Sequence, residues 1–134
     1  MSKTYLLTYY GQVKSKKNDK TINYNARTGK PFVRQGAATK AQEREMAASF
    51  IDDLRAQGIK PGTKLGAPLR VEISVWNKDL RRHDLDNQLA TIMDALKKTG
   101  AIEDDDQLTV PDEHIKYAGL DREDPRAEIT ITAK

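Results

Sequence analysis

The chain has 134 residues, of which 37% are hydrophobic and 32% charged, and its formal net charge is +3. This length suits one domain with a single modest core, because domains commonly comprise about 100 to 150 residues, and we expect residues 1–134 to form that domain. Cysteine is absent, which excludes disulfides, thiolate zinc sites and cysteine nucleophiles. Neither a membrane span nor a secretory signal is recognisable, so we expect a cytoplasmic protein.

The first half of the chain predicts a strand, a hairpin and a helix, in that order. Tyr5 to Tyr10 is rich in aromatic and branched residues, which favours a strand, and it leads into a lysine-rich loop from Lys14 to Lys20. Ile22 to Tyr24 and Pro31 to Arg34 flank Asn and Gly turn residues, a pattern typical of a hairpin. From Thr39 to Gln57 the apolar residues recur with a period of 3.6, which predicts the first helix.

The second half predicts a strand, a helix and further strands. Apolar and polar residues alternate from Leu69 to Val75, as in a half-buried strand, and an apolar stripe from Leu85 to Leu96 predicts an amphipathic helix. Leu108 to Val110 and Ile115 to Tyr117 suggest short strand pieces, and Ala127 to Thr132 a final strand. The predicted fold class is therefore α+β, with a mixed sheet of about five strands and two helices packed on it.

The most informative stretch is Arg-Arg-His-Asp-Leu-Asp-Asn, residues 81–87, which connects a predicted strand to the predicted helix that follows it. Asp84 and Asp86 can converge on one cation if the backbone there is extended, since residues i and i+2 of a strand point to the same side. Magnesium prefers oxygen ligands and one or two carboxylates, so a third acid nearby would complete a catalytic site. Asp105 is the candidate, provided that the chain returns after Gly100 to the sheet end from which the helix departs.

A site of this kind suits phosphodiester cleavage. Bound magnesium can supply both an activated water and a counter-charge for the transition state. Arg81 and Arg82 are candidate phosphate clamps, because guanidinium meets phosphate in bidentate fashion. Lys16 and Lys17 are candidates for additional salt-sensitive contacts with a nucleic-acid backbone.

In order and spacing, these motifs resemble the RusA family of Holliday junction resolvases. The resemblance rests on residues 81–87 together with Met-Asp-Ala-Leu (residues 93–96), Lys-Thr-Gly (98–100) and Asp-Asp-Asp-Gln (104–107). It implies a homodimer that binds four-way DNA junctions and makes paired symmetric nicks during DNA recombination and repair. The implied cofactor is Mg²⁺, for which Mn²⁺ can substitute. It also implies catalytic roles for Asp84, Asp86 and Asp105, with Asp104 as a further metal ligand and Asn87 contacting DNA.

The chain departs from the family pattern at two positions. Ala90 stands where the best-known members carry a functional lysine, and His83 stands where they carry a basic arginine. Lys78, Lys97 or a residue of the Lys14 to Lys20 loop are candidate substitutes for the missing lysine. A junction-binding protein with weak or lost cleavage is therefore the alternative function, and a metal-binding structural module unrelated to DNA is a third hypothesis.

Several of these residues also have a purely structural interpretation. Asp84 or Asp86 can cap a helix N-terminus, Asp106 can belong to a solvated acidic turn, and Asp94 can pair with Lys97 or Lys98 on the helix surface. Trp76 is expected in the hydrophobic core.

Overall fold

The computed structural model describes residues 3–14, 20–24, 26–35 and 37–133, with only the backbone described for residues 20–24, 32–35 and 37–39. In chain order the elements are β1 (Lys3–Tyr10), β2 (Lys20–Tyr24), β3 (Pro31–Gln35), α1 (Ala37–Ala56), β4 (Leu69–Asn77), α2 (Leu85–Lys98), β5 (Asp112–Leu120) and β6 (Arg126–Ala133). Neither described helix has the length and apolar character needed to cross a membrane.

Four strands form one mixed sheet in the order β1-β6-β4-β5. β6 pairs antiparallel with both β1 and β4, whereas β5 pairs parallel to β4. β2 and β3 pair with each other as a separate antiparallel hairpin. The α+β class with two helices is confirmed, and the difference from about five sheet strands arises because the hairpin stays outside the main sheet.

The core lies between one face of the sheet and the two helices. Along β4 the odd-numbered apolar residues from Leu69 to Val75 are buried, as their alternation with polar residues predicts. From the helices, Phe50 of α1 and Ile92 and Leu96 of α2 are fully buried, and burial of each such side chain contributes about 1.5 to 3 kcal/mol. The amphipathic patterns of the sequence therefore place the helices on this face.

Trp76 does not belong to this core, contrary to the sequence prediction. It occupies an even-numbered position of β4, so its side chain lies on the opposite face of the sheet, where it is half-buried. The guanidinium carbon of Arg126 lies 4.0 Å from the centroid of its ring. A cation–π contact thus covers a ring that the helices do not reach.

The connection from α2 to β5 is a turn rather than a strand at Leu108 to Val110. The Oδ1 atom of Asp106 accepts hydrogen bonds from the backbone N–H groups of Leu108 (2.9 Å) and Thr109 (2.8 Å). These backbone bonds lower the pKa of the Asp106 carboxyl. The prediction that Asp106 belongs to an acidic turn is confirmed.

Candidate active site

Asp84 is the N-cap of α2. Its backbone is extended, with φ −86° and ψ 115°, and its Oδ1 atom accepts a hydrogen bond of 2.9 Å from the backbone N–H of Asp86. Asp84 therefore does cap the helix, but the capping bond occupies only one of its two carboxylate oxygens. Asp86 lies in the first helical turn, and its carboxylate has no partner among the described residues. Both side chains are exposed at the end of α2 where the helix dipole favours negative charge.

Asn87 adds a third oxygen next to this pair along the chain. The residue is only 5% exposed, and its Oδ1 atom has no hydrogen-bond partner. A buried polar atom without a partner is costly, at roughly 1 to 3 kcal/mol. Two carboxylates and one uncompensated amide oxygen form a set of hard donors, which is the chemistry that magnesium prefers.

Asp104 and Asp105 follow the other end of α2. The Nζ atom of Lys97, in the last turn of α2, lies 3.5 Å from Oδ1 of Asp105 and 3.2 Å from Oδ1 of Asp94, which confirms the predicted pairing of Asp94. Burial alone would lower the pKa of Lys97, but the contacts with Asp94 and Asp105 outweigh it and raise this pKa. Of the cations considered for the role of the missing lysine, Lys97 contacts a predicted site carboxylate.

Asp105 does not join Asp84 and Asp86 within one chain. Lys97, which contacts Asp105, lies eleven positions after Asp86, and this corresponds to about 16 Å along α2. β5 runs parallel to β4, so the chain after α2 returns to the end where β4 begins, and there Leu69 N–H donates to Thr109 O. Accordingly, no three Asp, Glu, His or Cys side chains in the described part of the chain are arranged to hold a metal ion.

Asp104 lies beside Asp105 at this far end of α2. Its Oδ1 atom accepts a 2.8 Å hydrogen bond from the backbone N–H of Asp105, and the side chain is exposed. The expected return of Asp105 to the departing end of α2 is therefore not met within one chain. Whether Asp104 and Asp105 bind metal stays a prediction.

Arg81 and Arg82 line a cavity of about 380 Å³ at the Asp84 end of α2, together with His83 and Tyr117. Both arginines are exposed, whereas the His83 ring is partly buried and its Nε2 lies 2.9 Å from Oδ1 of Asp79. This hydrogen bond lowers the pKa of Asp79. The connection between β4 and α2 thus presents two guanidinium groups directly before Asp84 along the chain.

A partly buried network of amide side chains holds residues 12–14 against the same end of β4 and α2. Gln12 Nε2 donates to Asn77 Oδ1 (2.8 Å), while its Oε1 accepts from Lys78 N–H (2.7 Å). Gln88 Nε2 donates to Asn77 Oδ1 (3.1 Å) and to the carbonyl oxygen of Val13 (3.2 Å). These bonds fix the backbone directly before the lysine-rich segment of the sequence. Lys16 and Lys17 themselves lie outside the described residues.

Lys14 is held from both sides. Its N–H donates to Gln42 Oε1 (2.8 Å) and its carbonyl oxygen accepts from Thr91 Oγ1 (2.9 Å). The sequence prediction missed this network, although a signal was available. Asn77 and Gln88 are polar residues at positions that the periods of β4 and α2 assign to the buried face.

The family model described as "Endodeoxyribonuclease RusA" matches residues 11–132, which is nearly the whole chain. No curated protein matches the sequence. The matched range includes both the Asp84–Asn87 motif and the acidic segment after α2, and the chain therefore belongs to the RusA family of endodeoxyribonucleases, the Holliday junction resolvases.

Proposed function

We propose that this single-domain protein, residues 1–134, is a magnesium-dependent endonuclease that resolves four-way DNA junctions by paired symmetric nicks in recombination and repair. The observation that carries the proposal is the convergence of opposite chemistries at the start of α2. Asp84 and Asp86 offer carboxylate oxygens for a cation, while Arg81 and Arg82 are exposed beside them for a polyanion. Cation and phosphate backbone would meet at this point.

The residues at the start of α2 suit a divalent metal. Asp84 retains one carboxylate oxygen beyond its capping bond, Asp86 retains both, and Asn87 has the buried oxygen without a donor. Magnesium, when bound, makes a water nucleophilic at neutral pH and offsets charge on the attacked phosphate. Manganese, which also favours oxygen ligands, would replace it. The protein contributes the ligand oxygens, their orientation by the helix cap, and the guanidinium groups that hold the DNA backbone.

The basic groups would fix the register of the DNA. Guanidinium groups can hold phosphate in bidentate fashion, which suits Arg81 and Arg82. We also assign phosphate contacts to Lys16 and Lys17, which follow Lys14 closely along the chain. Asn87, directly after Asp86, would serve either the metal or DNA. Such contacts predict binding that weakens steeply with salt.

Because Asp105 lies at the far end of α2, we further propose that the active form is a homodimer whose sites are shared. In a two-fold dimer, the surface that contains the end of α2 in one protomer can face the beginning of α2 in its partner. Asp105, with Asp104 beside it, would then complete the site formed by Asp84 and Asp86 of the other protomer. Two such sites are related by the two-fold axis, which suits paired cuts in a substrate with near two-fold symmetry.

The test is cleavage of labelled four-way junctions and matched linear duplexes, with and without magnesium, by wild type and Asp86→Asn. The proposal expects symmetric nicks in the junction alone that require metal and are lost in the variant, with junction affinity retained. Asp52→Asn, the same substitution at an exposed position of α1, is a matched control and should cleave like wild type. Tight binding without product in any divalent metal would favour the junction-binding alternative, and equal activity of Asp86→Asn would exclude a ligand role for Asp86.

A further inference from the structure

The backbone of residues 12–14 is held by side chains of both helices and not by strand or helix bonds of its own. Gln42 of α1 binds it twice: its Nε2 donates to Gln12 O (2.6 Å), and its Oε1 accepts from Lys14 N–H (2.8 Å). From α2, Thr91 Oγ1 donates to Lys14 O (2.9 Å). Both peptide groups of Lys14 are therefore bound from opposite sides.

The side chains that bind Lys14 occupy interior positions of the helices. Gln42 is only 5% exposed, and Thr91 is fully buried. Burial of such polar groups is unfavourable unless they are hydrogen-bonded, and here their bonds go to one short segment at the protein surface. Surface connections are ordinarily less ordered than this. The two helices thus fix the backbone position of Lys14 in advance of any ligand.

The Lys14 side chain takes no part in this framework. It is exposed, and its ammonium group forms no ion pair with the residues that the structure describes. Lys97, at the far end of α2, is instead engaged by Asp94 and Asp105. A lysine with a fixed backbone and an uncompensated charge on a flexible four-carbon stem suits an external anion.

Thr91 places this charge beside the beginning of α2. Its Oγ1 atom also lies 3.1 Å from the carbonyl oxygen of Asn87, so one hydroxyl joins Lys14 to the helical turn that follows Asp86. The 2.9 Å bond keeps the Cα atom of Lys14 within about 8 Å of that of Thr91. The exposed residue before Thr91 is Ala90, so this turn of α2 has no cation of its own.

We propose that Lys14 contacts a phosphate of the bound DNA beside the start of α2, and that Gln42 and Thr91 are the residues that position it. The inference rests on the proposed function and assigns to Lys14 the charge that Ala90 does not provide. Arg81 and Arg82 precede α2 along the chain, whereas Lys14 contacts its second turn. The DNA backbone is then held by cations from two separate segments.

The first test measures binding of a labelled four-way junction in metal-free buffer over a range of salt concentrations, so that no cleavage intervenes. Lys14→Met should weaken binding about five- to tenfold at about 0.1 M salt and flatten the slope of log K against log salt by about 0.9, the value for one phosphate contact. Lys14→Arg keeps the charge and should retain both. Lys3→Met, the same change at an exposed position at the opposite end of the sheet, should match wild type.

A double-mutant cycle tests the positioning role of Thr91. Thr91→Val removes the hydroxyl and keeps the charge of Lys14, so it should weaken junction binding less than Lys14→Met does. In the Lys14→Met background Thr91→Val should have no further effect on binding, because no ammonium group remains to be positioned. A merely structural Thr91 would lower Tm and give additive effects on binding, and additive effects would overturn the positioning role.

Wild-type affinity and slope in Lys14→Met, or equal losses in Lys3→Met, would overturn the phosphate contact. A wild type that binds no DNA would refute the proposed function and with it this inference. A protein that binds with the expected slopes but cleaves no junction would support the contact and count against the nuclease activity alone.

Discussion

The two interpretations of Asp84, helix cap and metal ligand, can be separated by comparing Asp84→Asn with Asp84→Ala. Asparagine is as good an N-cap as aspartate, because its side-chain oxygen can accept the bond from Asp86 N–H, whereas alanine cannot. Asparagine nevertheless removes the carboxylate that a magnesium ion requires. The two variants therefore share the loss of charge and differ in the loss of the cap.

The magnitudes follow from the 2.9 Å capping bond at the start of α2. Loss of the cap in Asp84→Ala costs about 1 kcal/mol, which for a chain of 134 residues lowers Tm by about 3 to 4 °C. Asp84→Asn loses only the favourable interaction with the helix dipole and should stay within about 2 °C of wild type. Junction cleavage should fall at least about 100-fold in both variants, equivalent to about 2.7 kcal/mol of transition-state stabilisation.

Thermal unfolding with and without magnesium, together with single-turnover cleavage of a four-way junction, measures both effects on the same samples. Magnesium should raise the Tm of wild type, because a ligand that binds only the folded state stabilises that state. It should leave the Tm of both variants unchanged. Wild-type cleavage by Asp84→Asn would refute the reasoning, since the carboxylate would then serve only the helix.

Three further predictions concern stability. Gln88→Met removes the two bonds from Gln88 Nε2 to Val13 and Asn77, but both acceptors keep a bond from Gln12 Nε2, and the unpaired Gln88 Oε1 is removed as well. The variant should therefore lose no more than about 1 kcal/mol in urea unfolding, and a loss of about 3 kcal/mol would contradict this reasoning. Burial, and then the like charge of Asp105, raise the pKa of Glu113, so ionisation of Glu113 opposes folding as pH rises through that pKa. In metal-free urea titrations, Glu113→Gln should therefore be more stable than wild type at neutral pH, and this advantage should vanish below about pH 4. A Cβ added at Gly100 would lie 3.0 Å from Gly62 Cα, whereas one at Gly58, of similar positive φ, would meet nothing within 4 Å, so Gly100→Ala should be about 1 kcal/mol less stable than Gly58→Ala; equal stabilities would exclude a tight contact.

Local periodicity explains why most elements were predictable. The alternation of β4 and the apolar stripe of α2 depend on neighbours a few residues apart, and both elements agree with the sequence prediction. The large apolar side chain of Trp76 favours the core, although the same alternation places it on the other face of the sheet. Residue type alone therefore misled where the period of the strand did not.

The direction of β5 was not predictable in this way. Whether the chain after α2 pairs parallel or antiparallel to β4 is decided by packing across the sheet, and it determines which end of α2 Asp105 occupies. The motifs around Asp84 and Asp105 are therefore recognisable in the sequence. That they lie at opposite ends of α2 within one chain could not be predicted from it. The amide network of Gln12, Asn77 and Gln88 joins residues up to 76 positions apart along the chain and likewise depends on tertiary structure.

The most direct test of the shared active site mixes two inactive proteins. Asp86→Asn retains Asp105, and Asp105→Asn retains Asp84 and Asp86, so each homodimer should be unable to cleave a four-way junction in magnesium. If every site draws Asp105 from the partner, a mixed dimer made by refolding the two variants together contains one intact site, and junction nicking should return to about half of the wild-type rate in that species. If all three carboxylates act within one chain, both sites of the mixed dimer are damaged, and a mixture as inactive as its components would contradict the shared site.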